Sequence, residues 1–268
     1  MKIFVINLEK DRARRESVQR QLDNLKLPFE LVSGVLGAAL SPAELAECYD
    51  DRKARRNLCM SLVPSQIGCA LSHTRVYQKI VERNLDCALI LEDDVILPAM
   101  MPKMMLEIQN TINVDRPEVI LLSPAIGSHG RHDRRLPGGE FEMIPFKAGY
   151  YTSSYIVTHF AARALLKELY PVGDVADCWA RLKSYKVVDL FVINPPLIEQ
   201  NQTAFGSSTN EDNWKLKKKN ALDKLILKCR RAGSKFIDFF YAIYRRKVVP
   251  YAGIDLNPKS GMENKKGR

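Results

Sequence analysis

The sequence predicts an α/β protein built on a central, mostly parallel sheet, and three observations carry that expectation. Lys2 to Leu8 (KIFVINL) has the length and β-branched content of a strand, and Asp11 to Leu25 follows with apolar residues at Val18, Leu22 and Leu25, a helical spacing. Ala88 to Leu91 (ALIL) is an unbroken apolar run, as expected of a strand buried on both faces and covered by helices. Strand-like and helix-like segments then alternate as far as Pro195-Pro196, with no internal repeat.

The remaining elements follow in order. Phe29 to Val32 reads as a second short strand, and Ser41-Pro42 followed by Glu44 reads as a helix start with proline in the first turn. Asp51 to Arg56 reads as a basic surface segment. Pro64 to Arg83 reads as a long helix with Ile67, Leu71, Val76 and Ile80 inward. A helix around Met101 to Thr111, a strand at Glu118 to Leu122 and a polar loop from Gly127 to Gly139 come next. Tyr150 to Val157 is strand-like, Ala161 to Leu169 helical, Pro171 to Trp179 a loop with two aspartates, and Lys186 to Ile193 a last strand.

The most informative stretch is ALILEDDVIL, where Glu92, Asp93 and Asp94 follow the buried strand directly. Adjacent carboxylates repel one another and resist burial unless solvent, a partner charge or a metal compensates them. In an extended backbone Glu92 and Asp94 project to one side, which would let both ligate one divalent ion. The competing reading is a solvated acidic turn.

Composition narrows the possible functions. No segment approaches the ~18 unbroken apolar residues of a membrane span, and the first strand is cut off too early to be a signal-peptide core. The six cysteines form no CxxC pair, which argues for reduced thiols and a cytoplasmic location and against a disulfide framework or zinc cluster. The net charge of +10 is concentrated: residues 215–247 carry twelve Lys and Arg against two aspartates, whereas residues 1–214 carry 25 basic and 27 acidic side chains. A near-neutral body disfavours nucleic acid as a partner. Leu222, Leu225, Ile226, Cys229, Phe236, Phe240 and Ile243 recur every three or four residues or at multiples of that spacing, a basic amphipathic helix pattern suited to an anionic inner-membrane surface. The expected organisation is a catalytic domain at 1–210, a basic helical segment at 211–250 and a disordered tail at 251–268.

Four segments resemble glycosyltransferase family 25, the bacterial lipooligosaccharide galactosyl- and glucosyltransferases related to collagen galactosyltransferases. They are FVINLEKDRARR, IGCALSH, LEDDV, and YTSSYIV followed by PVGDVADCW, and together they span roughly residues 1–205 in the family's order. The resemblance implies a GT-A-like fold, a UDP-sugar donor, a divalent metal (most often Mn2+, with Mg2+ an alternative) and inversion at the anomeric carbon. By that similarity Asp94 is the first candidate metal ligand, with Glu92 as a second ligand, and Glu92 or Asp93 holds the ribose or a metal-bound water. Asn7, Arg12 and Arg15 are placed for the uridine and phosphates, and His73 with Ser72 closes the GCALSH motif beside the donor.

Inversion requires a base facing the acceptor hydroxyl. Asp177, in its DCW setting, is the first candidate and Asp174 the reserve, with helix capping the competing role for either. Thr152, Ser153 and Tyr155 lie where hydroxyls could face the acceptor, and Glu199, Gln200 and Asn201 where another donor or metal contact could stand. His129 and His132 fall in the polar loop without a third ligand spacing. The implied acceptor is a lipid-linked oligosaccharide at the inner membrane, and the rival reading is a non-catalytic carbohydrate-binding protein on the same scaffold.

Overall fold

The computed structural model describes residues 1–201 and 248–249. Its elements are β1 (Lys2–Asn7), α1 (Arg12–Asn24), β2 (Phe29–Ser33), α2 (Pro42–Cys48), α3 (Asp51–Leu58), α4 (Pro64–Glu82), β3 (Cys87–Glu92), β4 (Val95–Ile96), α5 (Met101–Thr111), β5 (Glu118–Leu121), β6 (Ile126–Ser128), β7 (Arg134–Arg135), β8 (Glu142–Ala148), β9 (Ser154–Thr158), α6 (His159–Leu169), α7 (Trp179–Ser184), β10 (Asp189–Asn194), β11 (Glu199–Gln200) and β12 (Val248–Val249). A short 3-10 turn, Gly37–Ala39, follows β2.

Ten strands form one sheet in the order β12-β6-β8-β10-β5-β9-β3-β1-β2, with β7 added on β8. Pairings of β1 with β2 and β3, and of β5 with β10, are parallel. Strands β8, β9 and β12 run against the other seven, so the sheet is mixed but predominantly of one direction. Val18 and Leu22 of α1 and Met101, Met104 and Ile108 of α5 cover one face together with Leu89, Leu91 and Ile120. Val76, Tyr77 and Ile80 of α4, Leu165 of α6 and Trp179 of α7 cover the other, against Phe4, Ile90 and Val157. This three-layer α/β/α arrangement explains the continuous apolar run of β3, which is buried on both sides.

The expected helices and most strands are present, and the departures have local causes. Asp51–Leu58 is a helix, α3, because the Asp50 side chain accepts the Lys53 N–H as an N-cap while only Ala54 is buried on an otherwise charged surface. The expected strand from Tyr150 begins only at Ser154, since Tyr151 sits at φ 79° and its N–H and C=O turn toward Asp177 and Trp179 instead of a neighbouring strand. The last strand starts at Asp189, because Lys186 at φ 54° closes α7 first. The Gly127–Gly139 loop contains the short strand β7 and the end of β6. Of the expected 211–250 helical segment only Val248–Val249 are described, and they form a short strand paired antiparallel with Gly127–Ser128 instead of a helix; the 251–268 tail lies outside the described residues.

Two glycines let α4 approach the segment after β2. A Cβ on Gly68 would collide with the Val35 carbonyl oxygen and stand 2.7 Å from the Gly37 nitrogen, and one on Gly37 would overlap the Pro64 carbonyl. Ser72 completes this seam: its hydroxyl donates to the Gly68 carbonyl at 2.7 Å and accepts the Val35 N–H at 2.8 Å. Because both neighbours of Gly68 are backbone, relief requires moving the helix. Gly68→Ala is expected to lower the unfolding free energy by about 1–3 kcal/mol in urea titration, and an unchanged midpoint would contradict the close approach.

Candidate active site

Strand direction gathers the acidic triplet's neighbours at one edge. Because β1 and β3 are parallel, with Ile6 opposite Glu92, both strands deliver their carboxyl ends there, Asn7 from one and Glu92 from the other. Because β9 runs antiparallel to β3, with Ser154 opposite Leu91, the residues just before it, Thr152 and Ser153, arrive beside Glu92. The Glu92 N–H donates to the Ser153 carbonyl at 2.8 Å. Helix α1 returns Arg14 to the same edge, α4 supplies His73, and β11 pairs with β4 immediately beyond the triplet.

The chain turns after Glu92, so the triplet does not continue as an extended strand, and Asp93 Oδ1 and Asp94 Oδ2 both approach Arg14 Nη1, at 3.4 and 3.6 Å. The turn replaces the extended backbone from which Glu92 and Asp94 were expected to project together, while Glu92 still adds to the negative charge felt by Asp94. It is a turn of the kind the competing reading named, but a largely buried one, with Asp93 at 7% exposure and the Asp94 side chain at 13%.

Each acid has its own compensation. Glu92 Oε1 accepts the Thr152 hydroxyl at 2.6 Å and stands 3.3 Å from His73 Nε2. Burial pushes the Glu92 carboxyl up, but His73, Thr152 and Arg14 outweigh it and leave it below the usual range. Asp93 accepts from Asn7 Nδ2 at 2.6 Å and Arg14 Nη1 at 3.4 Å, yet burial raises it. Asp94 has the poorest set, Arg14 at 3.6 Å and Gln200 Nε2 at 3.5 Å. Burial together with the charges of Glu92 and Asp93 raises Asp94 to about 6 despite Arg14. Among the described residues one buried guanidinium therefore serves both aspartates, and the shortage of positive charge there falls on Asp94.

The other expected site residues separate into those at this edge and those enclosed behind it. His73 is 2% exposed, and its Nδ1 bonds the Tyr155 hydroxyl at 2.8 Å, which in turn meets the Tyr77 hydroxyl at 2.8 Å. Tyr155 and Ser153, expected on the acceptor side, are buried with their hydroxyls engaged inside the protein, Ser153 with Ser123 at 2.6 Å. Both position the site from behind. Ser72, expected at the donor, is committed to the Gly68–Val35 seam. Arg12 is exposed and Arg15 half-buried, and among the described residues the arginine paired with the triplet is Arg14. Asn7 is at the edge, where it clamps Asp93 and donates to the Asp11 carbonyl at 3.1 Å.

The two aspartates of PVGDVADCW differ sharply. Asp174 is buried, bonded to Arg181 Nε, while Arg181 also donates to Glu168 at 2.7 Å. Its carboxylate belongs to a structural ion-pair network. Asp177 Oδ2 accepts the Tyr151 backbone N–H at 3.3 Å and has no salt bridge among the described residues. Burial raises the Asp177 carboxyl, with Glu92 adding to the effect. Trp179, fully buried, donates from Nε1 to the Tyr151 carbonyl at 2.9 Å, so the segment facing Asp177 is held from both sides. His129 pairs with Asp133 at 2.9 Å within its own loop.

Two contributors escaped the sequence reading, Arg14 and Cys69. Arg14 continues the inward Val18, Leu22 series one step back, at i−4 from Val18, so the signal was present in the helical spacing. Cys69 lies on α4 one turn before His73, and its sulfur, the His73 ring and the Glu92 carboxylate lie within 4.8 Å of one another. Gln200 and Asn201, placed near the donor by the sequence, do reach Asp94, Asn201 through its N–H to the Asp94 carbonyl at 2.6 Å.

Residues 1–179 match the family described as Glycosyltransferase family 25 (LPS biosynthesis protein). The chain belongs to glycosyltransferase family 25. Among family 25 relatives, Procollagen galactosyltransferase 1-B of Xenopus laevis is 27% identical over 173 residues, covering 61% of this chain and 28% of that protein. Procollagen galactosyltransferase 2 of Homo sapiens is 29% identical over 175 residues, covering 61% and 27%. A Glycosyltransferase 25 family member of Drosophila melanogaster is 35% identical over 101 residues, covering 35% and 16%. The matches thus span less than a third of each of these relatives. The crystal structure of a glycosyltransferase involved in the glycosylation of the major capsid of PBCV-1 aligns with 63% of the chain at 15% identity and a TM-score of 0.28. The α/β assignment therefore rests on the strand pairings themselves. The family match covers Asn7, Arg14, His73, the triplet and Asp177, while Gln200 and Asn201, which reach Asp94, lie beyond the matched residues.

The charge deficit at Asp94 has a measurable sign. A carboxyl raised to about 6 in the folded state from 3.8 penalises the folded, metal-free protein above pH 6, and the penalty fades as pH falls from 6 to 3.8. In EDTA, Asp94→Asn is expected to be more stable than wild type at pH 7.5 by roughly 1–3 kcal/mol, with the difference vanishing near pH 4. Thermal unfolding across that range measures it, and a variant less stable at pH 7.5 would refute the deficit.

Proposed function

We propose that this protein is an inverting, metal-dependent hexosyltransferase that moves galactose or glucose from a UDP-sugar to a lipooligosaccharide or lipopolysaccharide acceptor. The observation that carries this reading is the acidic edge itself, with three carboxylates gathered where β1 and β3 end and, among the described residues, too little positive charge to balance Asp94. A buried carboxylate short of positive charge fits a divalent cation, so the donor set suits Mn2+ or Mg2+. Asp94 would hold that ion, with Glu92 as a second oxygen donor. Such an ion supplies electrostatic stabilisation for a departing diphosphate.

The protein's own groups then divide the work. Asn7 and Arg14 keep Asp93 in place and hold the turn that presents Asp94. The Arg14 guanidinium, already at this edge, is the side chain suited to a phosphate oxygen, a role the sequence reading gave to Arg12 and Arg15. Asp177 accepts the proton of the attacking hydroxyl, and the burial that raises its carboxyl makes it a stronger base. Asp174, tied to Arg181, anchors the segment that carries Asp177. Thr152 Oγ1 orients Glu92.

The family description, which names LPS biosynthesis, supports a bacterial glycan acceptor. Lipid linkage of that acceptor would explain the twelve basic residues of 215–247, which suit an anionic membrane surface on the cytoplasmic side. No helix among the described residues is long and apolar enough to cross a membrane.

UDP-galactose and UDP-glucose hydrolysis with manganese tests the reading. Asp94→Ala is expected to lower turnover at least ~100-fold on both donors, while Asp177→Asn loses transfer to acceptor by a similar factor. Undiminished hydrolysis in Asp94→Ala would remove the metal assignment, and undiminished transfer in Asp177→Asn would remove the base.

A further inference from the structure

We infer that Cys69, His73 and Glu92 form a second cation site, of the zinc class, that shares the Glu92 carboxylate with the proposed Asp94 anchor and differs from it in its sulfur and nitrogen ligands. Cys69 and His73 are four residues apart on α4 and so share a helix face, and Glu92 meets them from the end of β3. One ligand atom from each lies within 4.8 Å of the other two, and His73 Nε2 stands 3.3 Å from Glu92 Oε1. Ligand atoms around one tetrahedral ion with bonds of about 2.0–2.3 Å stand roughly 3.3–3.6 Å apart. The nitrogen–oxygen separation already matches such an edge, and the Cys69 sulfur, within 4.8 Å of both partners, would close the third vertex as the metal–sulfur bond forms.

The surroundings are those of a ligand set held ready. The Tyr155 hydroxyl occupies His73 Nδ1 and is itself bonded to Tyr77, which fixes the ring with Nε2 toward Glu92. Thr152 fixes the carboxylate from its other neighbour, donating to Glu92 Oε1 at 2.6 Å. The backbone carrying Cys69 is pinned by the Gly68 contact with the segment after β2. Cys69 is half-buried and the Glu92 side chain 25% exposed, so one side remains open for entry and for a fourth ligand.

A thiolate, an imidazole and one carboxylate select Zn2+ or Co2+ over the harder Mn2+ and Mg2+, which prefer all-oxygen sets. Binding transfers the Cys69 thiol proton to solvent as the metal–sulfur bond forms. An ion there would tie α4 to β3 beside the acidic turn and fix Glu92, so this site would set the position of the carboxylate nearest Asp94.

Titration of the full-length, metal-free protein with Co2+ alone tests the inference, because cobalt–thiolate charge transfer gives near-ultraviolet absorption without any turnover. The expected result is a stoichiometric band in wild type that is lost in Cys69→Ser, Cys69→Ala and His73→Ala, each checked by circular dichroism for a native fold. Asp94→Ala should keep the band, so failure of the donor-metal reading and failure of this site are read separately. Absence of the band in wild type would overturn the inference, as would a band undiminished in either natively folded Cys69 variant, since it would then come from another of the six cysteines.

Discussion

Three carboxylates end a strand that is buried on both faces, and the Arg14 guanidinium is the buried cation between two of them. Desolvation and mutual repulsion would expel such a turn from the protein if nothing opposed them. Around it, Asn7 clamps Asp93, His73 and Thr152 hold Glu92, and Gln200 and Asn201 reach Asp94 from β11. The fold can be understood as the means of bringing these groups to one edge. Parallel pairing of β1 with β3 supplies Asn7, the antiparallel insertion of β9 supplies Thr152, and the glycine seam under α4 fixes the depth of His73.

Behind the edge, polar groups are spent on one another. Tyr77, Tyr155 and His73 form a buried chain ending at Glu92, and Ser123 and Ser153 close a second pair. Buried hydroxyls left without partners would each cost on the order of 1–3 kcal/mol, so these chains rigidify the wall from which Glu92 projects. The Asp174–Arg181–Glu168 network does the same for the segment carrying Asp177. The two halves of the site meet where Trp179 of α7 packs edge-on against Tyr155 of β9 with ring centroids 5.3 Å apart. Among the described residues Asp94 has the weakest compensation of the three, so burial and the neighbouring Glu92 charge raise its carboxyl to about 6.

Much of this was legible in the amino-acid pattern. The run ALIL announced a doubly covered strand, the helical spacing of α1 and α4 was plain, and the triplet's need for a cation followed from electrostatics alone. What was hidden depended on backbone direction and tertiary contact. Glu92 and Asp94 were expected to point together because an extended chain alternates, whereas the chain turns at Asp93. Arg12 and Arg15 were expected at the phosphates, although Arg14 is the arginine that continues the inward series with Val18 and Leu22. Tyr155 and Ser153 look like free hydroxyls in sequence and are enclosed ones in space. Strand β8 carries Pro145 in its middle, a residue that argues against a strand locally but pairs opposite Phe191 here.

The central claim is that the charge deficit at Asp94 is where a donor's cation sits. Anomalous diffraction from crystals grown with manganese and UDP addresses it most directly. The account predicts a manganese peak directly coordinated by the Asp94 carboxylate and shared with the diphosphate. A peak at another set of side chains, or ordered UDP bound with no ion at Asp94, would contradict it.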